Sequence, residues 1–237
     1  MNYRAVLSIL GKTLIAVAVF MLVPVGVCLF YKEYTYIDSF ALPIIIALLL
    51  GIPACAIKVK EKTIFQKEGF VVVALVWVIM SLIGALPFVI SKTIPNYIDA
   101  FFETVSGFST TGASILTNVD AMLESSKAIM FWRMFTHWIG GMGVLVFILA
   151  FLPGGNSGSM HLFRAESPGP TASKFVSKMS YTARILYLIY MFLTIIQVVL
   201  LFVGDMPLYD SVLYAFSTAG TGGFLPTNQN KLNFCLK

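Results

Sequence analysis

Five apolar blocks, at residues 13–31, 39–57, 69–91, 127–152 and 183–204, leave this chain few ways to fold. Crossing the hydrocarbon of a bilayer takes about 20 residues of helix. Inside that hydrocarbon every backbone N–H and C=O must be satisfied within the protein, so uninterrupted apolar runs of this length are helices. Charged residues make up only 11% of the chain and hydrophobic ones 58%, far from the balance of a soluble domain. The fold class is therefore all-α integral membrane. The first block has a basic start (Arg4, Lys12), as a signal peptide does. Its apolar run is longer than a signal core, however, and the YKEY that follows offers no small-residue cleavage site. It is read as a retained helix.

Charge placement gives the orientation. Five crossings put Arg4, Lys12, Lys58, Lys60, Lys62, Lys67, Arg164, Lys174 and Lys178 on the side of the N-terminus. An excess of lysine and arginine marks the cytoplasm, so the N-terminus is expected inside, in a multi-pass protein of the cell membrane. The opposite side collects Glu33, Asp38, Asp99, Glu103, Asp120, Glu124, Asp205 and Asp210. Loop solvation accounts for most of these acids, although such a surface also concentrates cations. The net charge of +5 thus reflects topology, and nothing points to nucleic acid. Cys28, Cys55 and Cys235 show neither a disulfide framework nor metal-ligand spacing.

Two polar strips interrupt the apolar pattern, FSTTGASILTN (Phe108 to Asn118) and FSTAGTGGFLPTN (Phe216 to Asn228). They belong to one repeat. A shift of 111 residues lays Asp99 to Ser114 over Asp210 to Leu225 without a gap, matching Ser106 with Ser217, Thr110 with Thr221 and Gly112 with Gly223. Internal repeats of this kind are a common way to build transport proteins. Before each strip stands a short amphipathic segment with helix-start signals: Pro95 and Asn96 with Asp99 in the first turn, then Pro207 with Asp210. Some twelve residues of helix reach only about 18 Å, so each segment dips into the membrane and returns as the strip. Irregular backbone at that depth is tolerated where it lines a watery cavity or is buried in protein. Helix C-termini, threonine hydroxyls and carbonyls freed to turn at Gly112 and Gly223 suit a desolvated cation.

These residues resemble the Trk/Ktr/HKT potassium transporters, the TrkH type in particular. ETVSGFSTTGAS is similar to the first filter of that family and FSTAGTGGF to its second. FWRMFTHWIGGMGVLVFILAFLP (Phe131 to Pro153) is similar to the W-R-x4-W-x-G-G-x-G helix that follows the first filter. AESPGP (Ala165 to Pro170) resembles the link into the second repeat, and two extra helices before residue 69 favour the TrkH type. The resemblance implies helix–pore-loop–helix units around one ion path. It places potassium on Thr110, Thr111, Gly112 and Ala113 of one filter and Thr221, Gly222, Gly223 and Phe224 of the other. It implies a homodimer and a cytoplasmic TrkA-type nucleotide-binding regulatory subunit, with potassium as substrate and no cofactor. The expected divisions are 1–68 (two helices), 69–153 (first repeat), 154–182 (cytoplasmic linker) and 183–237 (second repeat, stopping after its filter). A complete member is about twice this long, so the chain is expected to be the N-terminal half of a transporter. The alternative is a non-conducting membrane module that pairs with a complementary half or a full transporter.

Arg133 and His137 lie four apart on the 127–152 helix and share a face. Arg133 either serves the site, as intramembrane charges commonly do, or snorkels to the interface. The first option pairs it with Glu103 on the first pore helix as a support for the filter, and reversing both charges is then expected to restore function. His137 is expected to pack, not relay protons. Gly140, Gly141 and Gly143 are expected to allow close helix contact, and Trp77, Trp132 and Trp138 to pack or anchor. GGNSGS at 154–159 lacks the GK[ST] of a phosphate loop, and His161 has no partner motif. No paired carboxylates, nucleophile–base set or metal cluster suggests an enzyme.

Overall fold

A computed structural model describes residues 3–57, 66–143 and 179–227, with backbone alone at 66–68 and 179–182. Expectations for Lys58, Lys60 and Lys62, the side chain of Lys67, residues 144–178 with His161, Arg164, Lys174 and Lys178, and the tail from Asn228 through Cys235 lie outside the described residues. Among the described residues the fold is entirely helical, and four helices are long and apolar enough to cross a membrane.

The first two form a hairpin, α1 (Tyr3–Phe30) and α2 (Ile37–Ala56), joined through a single 3-10 turn at Tyr34–Tyr36. Glycines bring their backbones together. A Cβ on Gly11 would stand 2.7 Å from the Cys55 amide nitrogen, and one on Gly51 would stand 3.0 Å from the Gly11 carbonyl oxygen. Small residues at a crossing are what drives helix association where lipid removes the hydrophobic incentive. Val17, Met21 and Cys28 on α1 are buried, so the first apolar block is an integral part of the packed structure.

The chain continues through α3 (Gln66–Ile90), the short α4 (Tyr97–Phe108), the first polar strip, α5 (Val119–Ser125) and α6 (Lys127–Met142). After the linker come α7 (Met179–Val203), the short α8 (Leu208–Ala219) and the second strip. Asn96 caps α4 by accepting from the Ile98 amide at 3.0 Å, and Asn118 and Ser126 cap α5 and α6 in the same manner. The two turns of α5 set Val119, Met122 and Leu123 at helical spacing against the core, a helix absent from the expected repeat unit.

The block expected as one helix over 127–152 ends instead at Met142, because Gly143 adopts φ 69° and closes the last turn with a bond from its amide to the Gly140 carbonyl. This helix is the centre of the molecule. Every residue from Ala128 to Ile139 is buried, including Trp132, Arg133 and His137. A helix buried all round is a core element, in contrast to α7, whose Leu188, Phe192, Leu200 and Val203 are all more than 60% exposed and suit lipid. The Trp132 indole donates to the Gly84 carbonyl of α3 at 2.9 Å, and that of Trp138 to the Thr194 hydroxyl of α7 at 3.2 Å. The Gly140–Gly141 pair lets α6 touch the ends of both short helices. Space for a side chain at Gly140 is taken by the Phe108 carbonyl at the end of α4, and at Gly141 by the Gly220 Cα, 2.6 Å away, at the end of α8.

Candidate functional site

The repeat read from sequence is also a repeat of backbone geometry. α4 and α8 are each 12 residues long and begin and end at positions related by the same shift, Tyr97 with Leu208 and Phe108 with Ala219. Each closes with the same pair of hydrogen bonds. Thr110 N–H donates to Gly107 O at 3.1 Å and Thr111 N–H to Ser106 O at 3.0 Å; Thr221 N–H donates to Thr218 O and Gly222 N–H to Ser217 O at 3.0 and 2.9 Å. This is the Schellman closure, whose turning residue is left-handed and usually glycine. Here it is threonine in both copies, with φ 54° at Thr110 and 56° at Thr221. Two residues on, Gly112 and Gly223 are left-handed as well, at φ 77° and 79°.

The strips touch. A Cβ on Gly112 would overlap the Gly222 carbonyl oxygen, so the first strip can lie against the second only because residue 112 has no side chain. Gly223, with the same φ, has open space around it. Thr111, Ala113, Thr221 and Gly223 are exposed, Thr110 and Gly112 half-buried, and Gly222 and Phe224 buried.

Behind the strips lies a buried charge pair. Arg133 Nε stands 2.7 Å from Glu103 Oε1, and both side chains are almost wholly removed from solvent. The Glu103 carboxylate also accepts from the Ser114 hydroxyl at 2.8 Å and from the Ile115 amide at 3.1 Å. One guanidinium Nη donates to Ser114 Oγ at 3.1 Å and the other to the Leu225 carbonyl at 3.2 Å. Ser114 and Leu225 are themselves related by the repeat shift, so one guanidinium ties equivalent points of the two strips. Arg133 does not snorkel. In the second repeat the position of Glu103 is held by Tyr214, so the acid has no counterpart there.

Phe224 completes the joint. The Arg133 guanidinium carbon lies 3.6 Å from its ring centroid and the His137 ring 4.0 Å away at 23°. Two groups that close cannot share one face, so Phe224 is wedged between residues one helical turn apart on α6. Ser114, Leu225 and the wedge escaped sequence reasoning. The available signal was the repeat register together with the i, i+4 spacing of Arg133 and His137. Three acids assigned to an outer surface are engaged within the fold. Glu103 is in the ion pair, Asp120 accepts from the Thr227 hydroxyl at 2.7 Å, and Glu33 accepts from the Ser126 hydroxyl at 2.7 Å and from the Lys127 and Ala128 amides at the start of α6. Among the described residues no group of histidine, cysteine and carboxylate could hold a metal ion in the manner of a cofactor site.

An all-helical, multi-pass membrane protein in which two short helices end in matched polar strips around one buried helix is the class these features define. The chain belongs to the TrkH family of cation transport proteins, whose model matches residues 38–227. It is 37% identical over 230 residues to the Trk system potassium uptake protein TrkH of Salmonella typhimurium, covering 94% of this chain and 46% of that protein. An uncharacterized cation transporter of Methanocaldococcus jannaschii is 30% identical over 229 residues, covering 96% and 46%. The crystal structure of the potassium transporter TrkH from Vibrio parahaemolyticus superposes with a TM-score of 0.76 at 31% identity, over 95% of this chain and 45% of that one. The chain thus spans about half the length of the relatives it matches.

Proposed function

We propose that this chain forms part of the ion path of a potassium uptake system, with Thr110, Thr111, Gly112 and Ala113 and Thr221, Gly222, Gly223 and Phe224 as two of its filter strips. The observation that carries the reading is the matched pair of left-handed threonines and glycines, Thr110 with Thr221 and Gly112 with Gly223, on strips in backbone contact. Alternating the sign of φ turns successive carbonyls toward one side, where they replace the water a cation gives up. The C-termini of α4 and α8 bring partial negative charge to the same place. Glu103 and Arg133 support the filter from behind: their charges cancel locally, and their hydrogen bonds fix Ser114 and Leu225. Residues 69–153 and 183–237 would each supply one repeat. The N-terminus lies in the cytoplasm, as the lysine and arginine distribution argues.

No covalent chemistry is required; selection rests on the number and placement of oxygens against the cost of dehydration. The homodimer and the TrkA-type nucleotide-binding subunit are carried over from the family resemblance, and co-purification with such a subunit tests the second. Rubidium uptake by cells lacking their own potassium uptake, with and without this chain, tests the function. Uptake that depends on the chain and is abolished by Gly112→Ser supports the filter. Normal membrane insertion with no uptake, alone or beside a complementary half, would favour the non-conducting module instead.

A further inference from the structure

His137 belongs by sequence to the first repeat, yet it lies against the second strip. Its side chain is completely buried, and among the described residues neither ring nitrogen has a hydrogen-bond partner. Its place is therefore fixed by the shape of its surroundings and not by polar contacts. One ring face stacks on Phe224. A Cβ built on Gly222 would fall inside the imidazole, overlapping Nδ1, Cε1 and Cγ. On the far side, the Gly222 carbonyl oxygen occupies the space a Cβ on Gly112 would need. Four groups are thus stacked without slack: the imidazole, the Gly222 Cα, the Gly222 carbonyl and the Gly112 Cα. At the equivalent place in the first repeat stands Thr111, exposed, with its hydroxyl on Ser109 at 2.7 Å. The second strip has given up a side chain at this position, and the space is filled from α6.

We propose that His137 is the positioning residue of the second strip: the bulk of its ring sets how far the Gly222 carbonyl stands from Gly112, and so sets the ion preference of the filter. The inference rests on the filter reading given above. Packed interiors transmit volume changes because they have no free space to absorb them. A smaller group at 137 therefore lets Gly222 retreat and widens the gap between strips. A ring of similar size without nitrogens holds the gap as it is.

The test uses the purified full chain in detergent and the rise in its melting temperature with added potassium or sodium. Ion preference is the ratio of sodium to potassium concentrations giving the same rise. His137→Ala is expected to stay folded but lose preference, while His137→Phe keeps it. Gly222→Ala alone is expected to lower the melting temperature in the absence of ions, and the double variant His137→Ala with Gly222→Ala to recover both stability and preference. Unchanged preference in His137→Ala would overturn the inference. So would loss of preference in a folded His137→Phe, or a double variant no better than its worse parent. A parent protein whose melting ignores potassium would overturn the filter reading itself, and this inference with it. Those failures are distinguishable because the last appears before any residue is changed.

Discussion

Threonine is an unfavourable residue for a left-handed backbone, since its branched Cβ crowds the carbonyl, at roughly 1–2 kcal/mol per L-residue. Lys32, Lys92 and Asp205 share this backbone in turns, but only at Thr110 and Thr221 does it recur at one register of the repeat. Under the filter reading, that recurrence gives the side chain or its carbonyl a use that offsets the strain. Thr221→Gly is accordingly expected to leave thermal stability unchanged or raise it by about 1 kcal/mol, while weakening discrimination between potassium and sodium. A large drop in the unfolding temperature would contradict the strain argument. The Glu103–Arg133 pair has the opposite balance. Removing one partner strands a buried charge, so Glu103→Gln is expected to destabilise by about 3 kcal/mol or more in denaturant titration. Sequence alone suggested that reversing both charges would restore function. The surroundings argue against it: the carboxylate faces an N–H donor at Ile115, and the guanidinium faces a carbonyl acceptor at Leu225. A reversed pair would present donor to donor and acceptor to acceptor, and uptake in the double reversal is expected to stay as low as in either single one.

At the scale of elements, the two strips are the same motif in different surroundings, and paired substitutions separate motif from surroundings. Gly112 and Gly223 share a left-handed φ, so alanine at either suffers the same backbone penalty. Only at Gly112 does the new methyl meet the neighbouring strip. Gly112→Ala is expected to cost about 1–3 kcal/mol more than Gly223→Ala, read as the difference between their unfolding free energies. Equal effects would mean that the strips are not in contact. A second dependence runs from the N-terminal hairpin to α6. Glu33, just beyond α1, accepts from the Lys127 and Ala128 amides, and Lys127 Nζ sits 4.1 Å over the Tyr31 ring. The hairpin therefore helps hold the helix that carries Arg133 and His137. Glu33→Ala leaves two first-turn amides without that acceptor, and a loss of about 0.5–2 kcal/mol is expected in thermal unfolding.

Across the whole molecule, what could be read from sequence is what depends on solvent and on local repetition. The apolar blocks were legible because hydrocarbon permits only helix, and the strip register because Asp99 to Ser114 and Asp210 to Leu225 align without a gap. Less legible were features made by residues distant in the chain: Glu33 capping α6, the Asp120 carboxylate accepting from Thr227 at 2.7 Å, and Phe224 between Arg133 and His137. No local pattern encodes those partners. At 127–152 block length gave no sign of the break at Gly143 or of how deeply α6 is buried, since apolarity is equally the mark of a buried axis. The sidedness of the whole assembly then follows from connectivity. If α3–α4 and α7–α8 are true repeats, the turns before their short helices lie on one face, opposite the start of α1. Lys92 and Asp205 are exposed in those turns, and Arg4 is exposed near the chain start. In a protein with Cys28, Cys55 and Cys235 replaced, single cysteines at these three positions can be labelled on intact cells by a maleimide that does not cross membranes. Cysteines at positions 92 and 205 are expected to react from outside, and one at position 4 only after permeabilisation. The reverse pattern would place both turns in the cytoplasm and overturn the orientation drawn from lysine and arginine. Labelling of positions 92 and 205 from different sides would go further: no rotation of the molecule reconciles it with two equivalent re-entrant units, and the repeat could not line one path.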